Sequence, residues 1–196
     1  MPTPTIKLPI TGDYEADLLL TQEPLALLIG MILDQQVSME LAFRGPAVLR
    51  DRLGGELSVE TITALSVTEF VQLCCEKPAI HRFPAAMGER IYRVCEHLAE
   101  HYGGDASKIW LRARSAEVVA QRLRDLPGFG EEKTKIFMAL LAKRFGRRPK
   151  GWEVVAHPFS DNVPRSVADV RNAKTLGEVR EWKRAMKAAR KSKQDD

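Results

Sequence analysis

No stretch of these 196 residues alternates apolar and polar side chains with period two over the length of a strand. Strands are therefore not expected, and an all-α chain is. Cysteine is scarce: Cys74, Cys75 and Cys95 are an odd set, which excludes a disulfide framework and falls short of the four thiolates of an ordinary iron–sulfur cluster. No apolar run is long enough to cross a bilayer. The opening residues M-P-T-P-T-I-K-L-P lack the apolar stretch of a secretory signal, so the expected compartment is the cytoplasm, with no membrane partner. Metal ligands are sparse. His97 and His101 stand four apart, one helical turn, but no further ligand follows at a useful spacing. The histidines are read as surface residues, and no metal is expected. No internal repeat or low-complexity block stands out.

What is present is an ordinary globular composition, 44% hydrophobic and 7% aromatic, in a chain long enough to bury a core without staples. The net charge of +4 is unevenly spread. From Lys143 onward there are 15 Lys and Arg against 7 Asp and Glu, a net of +8, while the preceding residues sum to −4. A one-sided basic excess suits a polyanionic partner. A solvated charged tail is the simpler account of the last ten residues.

Residues 1–14 hold three prolines before position 10 and no periodicity, and read as an extended arm. Residues 15–20 form a short helix. Glu23-Pro24 opens a strong one through Leu25, Leu27, Leu28, Ile29, Met31, Ile32 and Leu33, apolar almost all round and so central and buried. Polar residues follow at once, Asp34-Gln35-Gln36, and these must find partners or face a ligand. Ser38 caps a helix over 39–52, with a kink or break expected at Pro46. A short helix covers 58–64, and Ser66-Val-Thr-Glu69 is a capping box opening another. Residues 77–83 form a loop. Residues 84–102 form a long helix stopped by Gly103-Gly104. Trp110, in the connector that follows, is assigned to the core. Residues 147–168 carry Pro149, Gly151, Pro158 and Pro164 and read as irregular, a length of loop that is often functional. A second capping box, Thr175-Leu-Gly-Glu178, opens a last basic helix through Val179, Trp182 and Met186.

The rest of the chain is organised around residues 126–135, L-P-G-F-G-E-E-K-T-K. Helical patterns flank it, with Val118, Val119 and Leu123 before and Ile136, Phe137, Leu140, Leu141 and Phe145 after. Gly128 and Gly130 permit a positive φ or a close backbone approach. Glycines at a helix start also leave its first N–H groups uncovered, where anions bind. Phe129 points back between the helices and stiffens the turn. An ordinary αα-hairpin with a glycine stop fits the same residues.

L-P-G-F-G resembles the hairpin of the helix-hairpin-helix DNA glycosylases, the superfamily that includes endonuclease III and the 3-methyladenine glycosylases. A second block, P-L-A-L-L-I-G-M-I-L-D-Q-Q-V-S at residues 24–38, is similar to the first block of the same superfamily. The resemblance implies a bundle of helices over 15–146, with 147–196 packing on the same domain. Its implied function is base-excision repair: hydrolysis of the N-glycosidic bond of a damaged base in duplex DNA, by a monomer without a cofactor. It assigns DNA contacts to Gly128, Phe129, Gly130, Lys133, Thr134 and Lys135, and wedge residues to Gln35 and Gln36, which would fill the gap left by an extruded base.

The resemblance also implies an aspartate after the hairpin's second helix, fixed beside the positive charge that develops on the sugar. Asp169, in S-V-A-D-V, and Asp161, in F-S-D-N-V, both compete for that place, with Asp169 preferred for its apolar neighbours. Both stand farther from the hairpin than the family spacing. Members that also cleave the strand carry a nucleophilic lysine two positions after the hairpin glycines. Here that residue is Glu132, with Lys133 one residue on, so a single-step, water-using glycosylase is expected. Two other readings fit the residues: a non-catalytic hairpin DNA-binding protein that has lost its active site, and an all-α interaction module in which the hairpin is only a turn.

Overall fold

The computed structural model describes residues 5–189. Among them there are ten α-helices, two 3₁₀ turns and no strand. The chain divides into two compact units. The first holds Thr11–Leu111 with Leu126–Gly128; the second holds Lys7–Ile10, Arg112–Asp125 and the residues from Phe129 onward. Residues 15–146 are thus shared between the two units. No single helix is long and apolar enough to cross a membrane.

The first unit is built on α2 (Pro24–Leu33), in which every residue from Leu25 to Leu33 is buried. That follows from its sequence: a helix apolar on all sides can be satisfied only inside. It packs on α3 (Met39–Arg52), and glycines set how closely. A Cβ on Gly30 would collide with the ring of Phe43, and one on Gly45 would collide with Leu33. Ser38 caps α3 by accepting from the Leu41 N–H. Of the kink or break expected at Pro46, the break does not occur; α3 runs through it. Proline removes one N–H from the ladder, and the buried residues on both sides of it, Ala42, Phe43 and Leu49, hold the helix whole.

Helix α1 (Tyr14–Gln22) precedes these, and α4 (Val59–Thr63), α5 (Val67–Cys75) and α6 (Pro84–Tyr102) complete the unit. Serine capping boxes open α4 and α5. The stripe of Met87, Ile91, Val94, Cys95 and Leu98 buries one face of α6, which stops at Gly103 in the left-handed region. In the connector the core is filled by Ile109, which is fully buried, and not by Trp110, which is half-buried. The 3₁₀ turn Ala106–Ile109 directs the aliphatic residue inward.

In the second unit α7 (Ala116–Arg124) and α8 (Glu131–Phe145) flank the glycine turn. Helix α8 is the core of this unit: residues 136–142 are all buried. The segment that follows is mostly irregular, with the short helix α9 (Trp152–Val155) and a 3₁₀ turn at Val167–Asp169. Helix α10 (Ala173–Ala188) starts earlier than its sequence suggested. The capping residue is Asn172, whose Oδ1 accepts from the Thr175 N–H while the Thr175 hydroxyl oxygen accepts from the Asn172 N–H. Thr175 is therefore the third helical residue and not the cap.

Candidate functional site

The turn between α7 and α8 shows why its two glycines are there. Gly128 has φ +87°, and a Cβ on it would strike the side chain of Arg90. Gly130 has an ordinary φ of −79°, and a Cβ there would meet nothing within 4 Å. The first glycine is needed by the backbone. The second is not, and it leaves open space over the start of α8. That helix begins at Gly130 without a side-chain cap, so its N-terminal partial positive charge stands at an open surface.

The residues around the turn divide into buried and accessible. Phe129 is 4% exposed and meets the ring of Phe137 edge-on, with centroids 5.8 Å apart. Thr134 is also buried, and its hydroxyl has no hydrogen-bond partner. Both are candidate DNA contacts, and their side chains lie inside rather than at the surface. Lys133 and Lys135 are half-buried at the surface. The glutamates of the first turn, which oppose a phosphate, are partly countered: Glu131 lies 3.5 Å from Arg124 and 4.0 Å from Lys135.

Gln35 and Gln36, in the first unit, have different surroundings. The Gln35 amide donates to the Ile32 carbonyl at 2.9 Å and to the Met87 sulfur at 3.1 Å. Its backbone carbonyl faces His81 Nε2 at 2.9 Å. Because His81 Nδ1 accepts from the Phe83 N–H, the neutral ring carries its proton on Nε2 and donates it to Gln35. His81 is 3% exposed. It is a buried brace for the turn after α2, not a surface histidine. Gln36 is exposed and sits at φ 57°, a conformation that costs a non-glycine residue about 1 kcal/mol or more. Of the two glutamines, Gln36 is the one that presents itself.

The two aspartates are both engaged. Asp169 Oδ1 lies 2.6 Å from Lys143 Nζ, with side chains 9% and 16% exposed. Asp169 Oδ2 accepts from the backbone N–H groups of Arg165 and Ser166, at 3.1 and 3.0 Å. Asp169 and Ser166 also form the capping box of the 3₁₀ turn. Asp161 Oδ2 takes Nε and Nη2 of Arg165, at 3.0 and 2.8 Å, and its Oδ1 accepts from the Val163 N–H. Lys143 joins the two segments by also donating to the Asp161 carbonyl.

Asp169 lines a cavity of about 370 Å³ together with Lys143, Arg144, Arg148, Trp152, Asn162 and Arg171. Burial lowers the pKa of the Arg144 guanidinium, the charge of Arg171 lowers it further, and Asp169 opposes both. Lys143 and the three arginines did not stand out in the sequence. Lys143, Arg144 and Arg148 sit in a basic run at the end of α8, and nothing local shows that Asp169 and Arg171 return to it.

No family model, no curated protein and no solved structure matches this chain.

Proposed function

We propose that the protein is a monofunctional DNA glycosylase of the helix-hairpin-helix kind, acting on a damaged base in duplex DNA. The observation that carries this reading is the turn at residues 126–130. Its left-handed Gly128 and the uncapped start of α8 behind an unobstructed Gly130 make a surface suited to a backbone phosphate. The hairpin fixes the register on the duplex, since phosphate contacts position a protein without reading sequence.

Asp169 is the better of the two candidate carboxylates. It lines the cavity, whereas Asp161 is locked to Arg165 by two hydrogen bonds to one oxygen. As the N-glycosidic bond breaks, the base leaves with the bonding electrons and positive charge develops on the sugar. A fixed carboxylate beside the sugar lowers that barrier, and water then adds to the anomeric carbon, its released proton neutralising the departed base. Lys143 offsets part of that negative charge. It has a second acceptor in the Asp161 carbonyl, so it can release Asp169 Oδ1 without losing every partner. With Glu132 at the position of the family lysine, no covalent imine with the sugar is expected.

A second reading is favoured by one specific feature. Asp169 is paired with Lys143 and bonded to two backbone N–H groups, as a purely structural carboxylate would be. On that reading the protein binds DNA through the hairpin and cuts nothing. The two are separated by incubating the full chain with duplexes carrying alkylated, deaminated and oxidised bases, then treating with alkali. The glycosylase reading requires strand breaks at one or more lesions, and their loss in Asp169→Asn while duplex affinity survives. Duplex binding that falls steeply with salt, but with no lesion ever cut, makes the protein a binder. No duplex binding at all removes both.

A further inference from the structure

The cavity that contains Asp169 holds more positive charge than the protein itself balances. Its two carboxylates are matched internally, Asp169 by Lys143 at 2.6 Å and Glu178 by Lys174 at 3.8 Å. The three arginines are not matched. Arg144 Nε donates to the Lys7 carbonyl at 3.0 Å, and Arg148 Nε to the Ala142 carbonyl at 3.4 Å. Both bonds fix a guanidinium through Nε and leave its terminal nitrogens for another acceptor. The Arg171 side chain has no hydrogen bond or ion pair among the described residues. The charge of Arg171 lowers the pKa of Arg144 and that of Asp169 opposes it, so two like charges share a cavity whose Asp169 carboxylate is already paired with Lys143. Arg148 and Arg171 are exposed, and all three guanidinium groups attract an arriving anion.

Three planar, permanently charged donor sets suit a tetrahedral oxyanion better than a lone carboxylate. The cavity, at about 370 Å³, is in the size range of small-ligand sites, and a phosphate alone would leave most of it empty. The rest of its wall includes the indole of Trp152, the ring of Pro164 and the amide of Asn162. These supply an aromatic surface and a donor–acceptor edge, the usual complement of a base. We propose that this cavity is a nucleotide site, in which Arg144, Arg148 and Arg171 take the phosphate and Trp152 and Asn162 contact the base. The identity of the ligand rests on the reading of Asp169 as the carboxylate that faces a sugar; the anion site does not. It is distinct from the phosphate grip at the hairpin. The phosphate comes from a free mononucleotide or from a nucleotide within a strand, and the chemistry at the arginines is the same.

The test is calorimetric titration of the full chain with adenosine 5′-monophosphate, with adenosine, and with a short single strand that has no terminal phosphate. The monophosphate should bind about tenfold or more tighter than adenosine, since charge-assisted bonds to the phosphate are lost in the nucleoside. Arg148→Gln and Arg171→Gln should each weaken it about tenfold, with unchanged far-UV circular dichroism. Trp152→Phe should reduce the affinity less, because an aromatic ring remains. Gly130→Ala should leave it unaltered. If the strand binds and the monophosphate does not, and the same two arginine variants abolish strand binding, the site holds with the strand as its source. Measurable and equal binding of adenosine and its monophosphate overturns the proposal. So does the absence of binding by both nucleotide and strand, or binding that is lost in Gly130→Ala and not in the arginine variants. A protein that binds nucleotide but cuts no lesion removes the glycosylase reading alone. A protein that cuts lesions but is indifferent to Arg148→Gln and Arg171→Gln removes the nucleotide site alone.

Discussion

Asp169→Asn, Lys143→Met and the double variant form a cycle whose outcome can be worked from the geometry. In the native protein the ammonium and carboxylate are 2.6 Å apart with side chains 16% and 9% exposed. Removing one member strands the other in a largely dry place. Breaking a buried pair in this way costs about 3–5 kcal/mol, and the residual exposure of Lys143 places the expected loss near the lower end, about 3 kcal/mol. In Asp169→Asn the amide oxygen can still accept from the N–H groups of Arg165 and Ser166, but the amide NH₂ then faces Lys143, donor against donor. In Lys143→Met the carboxylate keeps those N–H bonds and loses its counter-ion. The double variant leaves no unpaired ion, and removing both members together should cost only about 1 kcal/mol. With a urea m-value of about 2–3 kcal/mol/M for a chain of this size, each single variant should unfold at a midpoint about 1 M lower. The double variant should recover most of that. Urea unfolding followed by far-UV circular dichroism reads all four corners. If Asp169→Asn shifts the midpoint by less than about 0.3 M, or if the double variant is as unstable as the two singles added, the pair is not the staple described here. A midpoint unchanged in Asp169→Asn together with lost cleavage would mark a carboxylate kept for chemistry alone.

Three other outcomes follow from the same structure. Gly128→Ala should destabilise by about 1 kcal/mol or more, because alanine at φ +87° is strained and meets Arg90; Gly130→Ala should leave the thermal midpoint within error yet weaken duplex binding, and equal effects of the two on stability would refute the division of labour. Burial raises the Cys74 thiol to about 12 and raises Cys95 as well, while Cys75 is exposed, so a disulfide reagent should titrate one thiol in the native protein and the other two only on unfolding. Both buried thiols have pKa values above their unfolded ones, so their contribution to stability is intact below 9.0 and is lost as pH rises beyond it. At the start of α5 the Ser66 hydroxyl, then its backbone N–H, hold the Glu69 carboxyl below 4.5. Glu69→Gln should therefore lower the thermal midpoint at neutral pH, and the difference should close as pH falls below 4.5 and through the lower native value; a difference that persists in acid would show that the charge plays no part.

What the amino-acid sequence determines by itself is what depends on neighbours along the chain. The all-round apolar run of α2, the serine caps of α3 and α5, and the glycine stop of α6 are set within one or two helical turns, and each was legible. The capping of α10 shows the limit of local reading. Asn172-x-x-Thr175 and Thr175-x-x-Glu178 are both capping patterns three residues apart, and the earlier one holds the helix start. Tertiary structure alone decided the rest. His81 braces Gln35 from 46 residues away, and burial of its ring follows from that meeting, not from any pattern around it. Lys143 and Asp169 are 26 residues apart, and their pairing determines that Asp169 is a held carboxylate and not a bare one. The three arginines of the cavity come from the end of α8, the segment after it and the residue before the cap of α10. Charge acts through space over several ångströms, while periodicity records only which face of a helix is dry. The candidate aspartates were therefore nameable from the sequence, but which basic residues share a cavity with Asp169 was set by how the irregular segment folds back on α8.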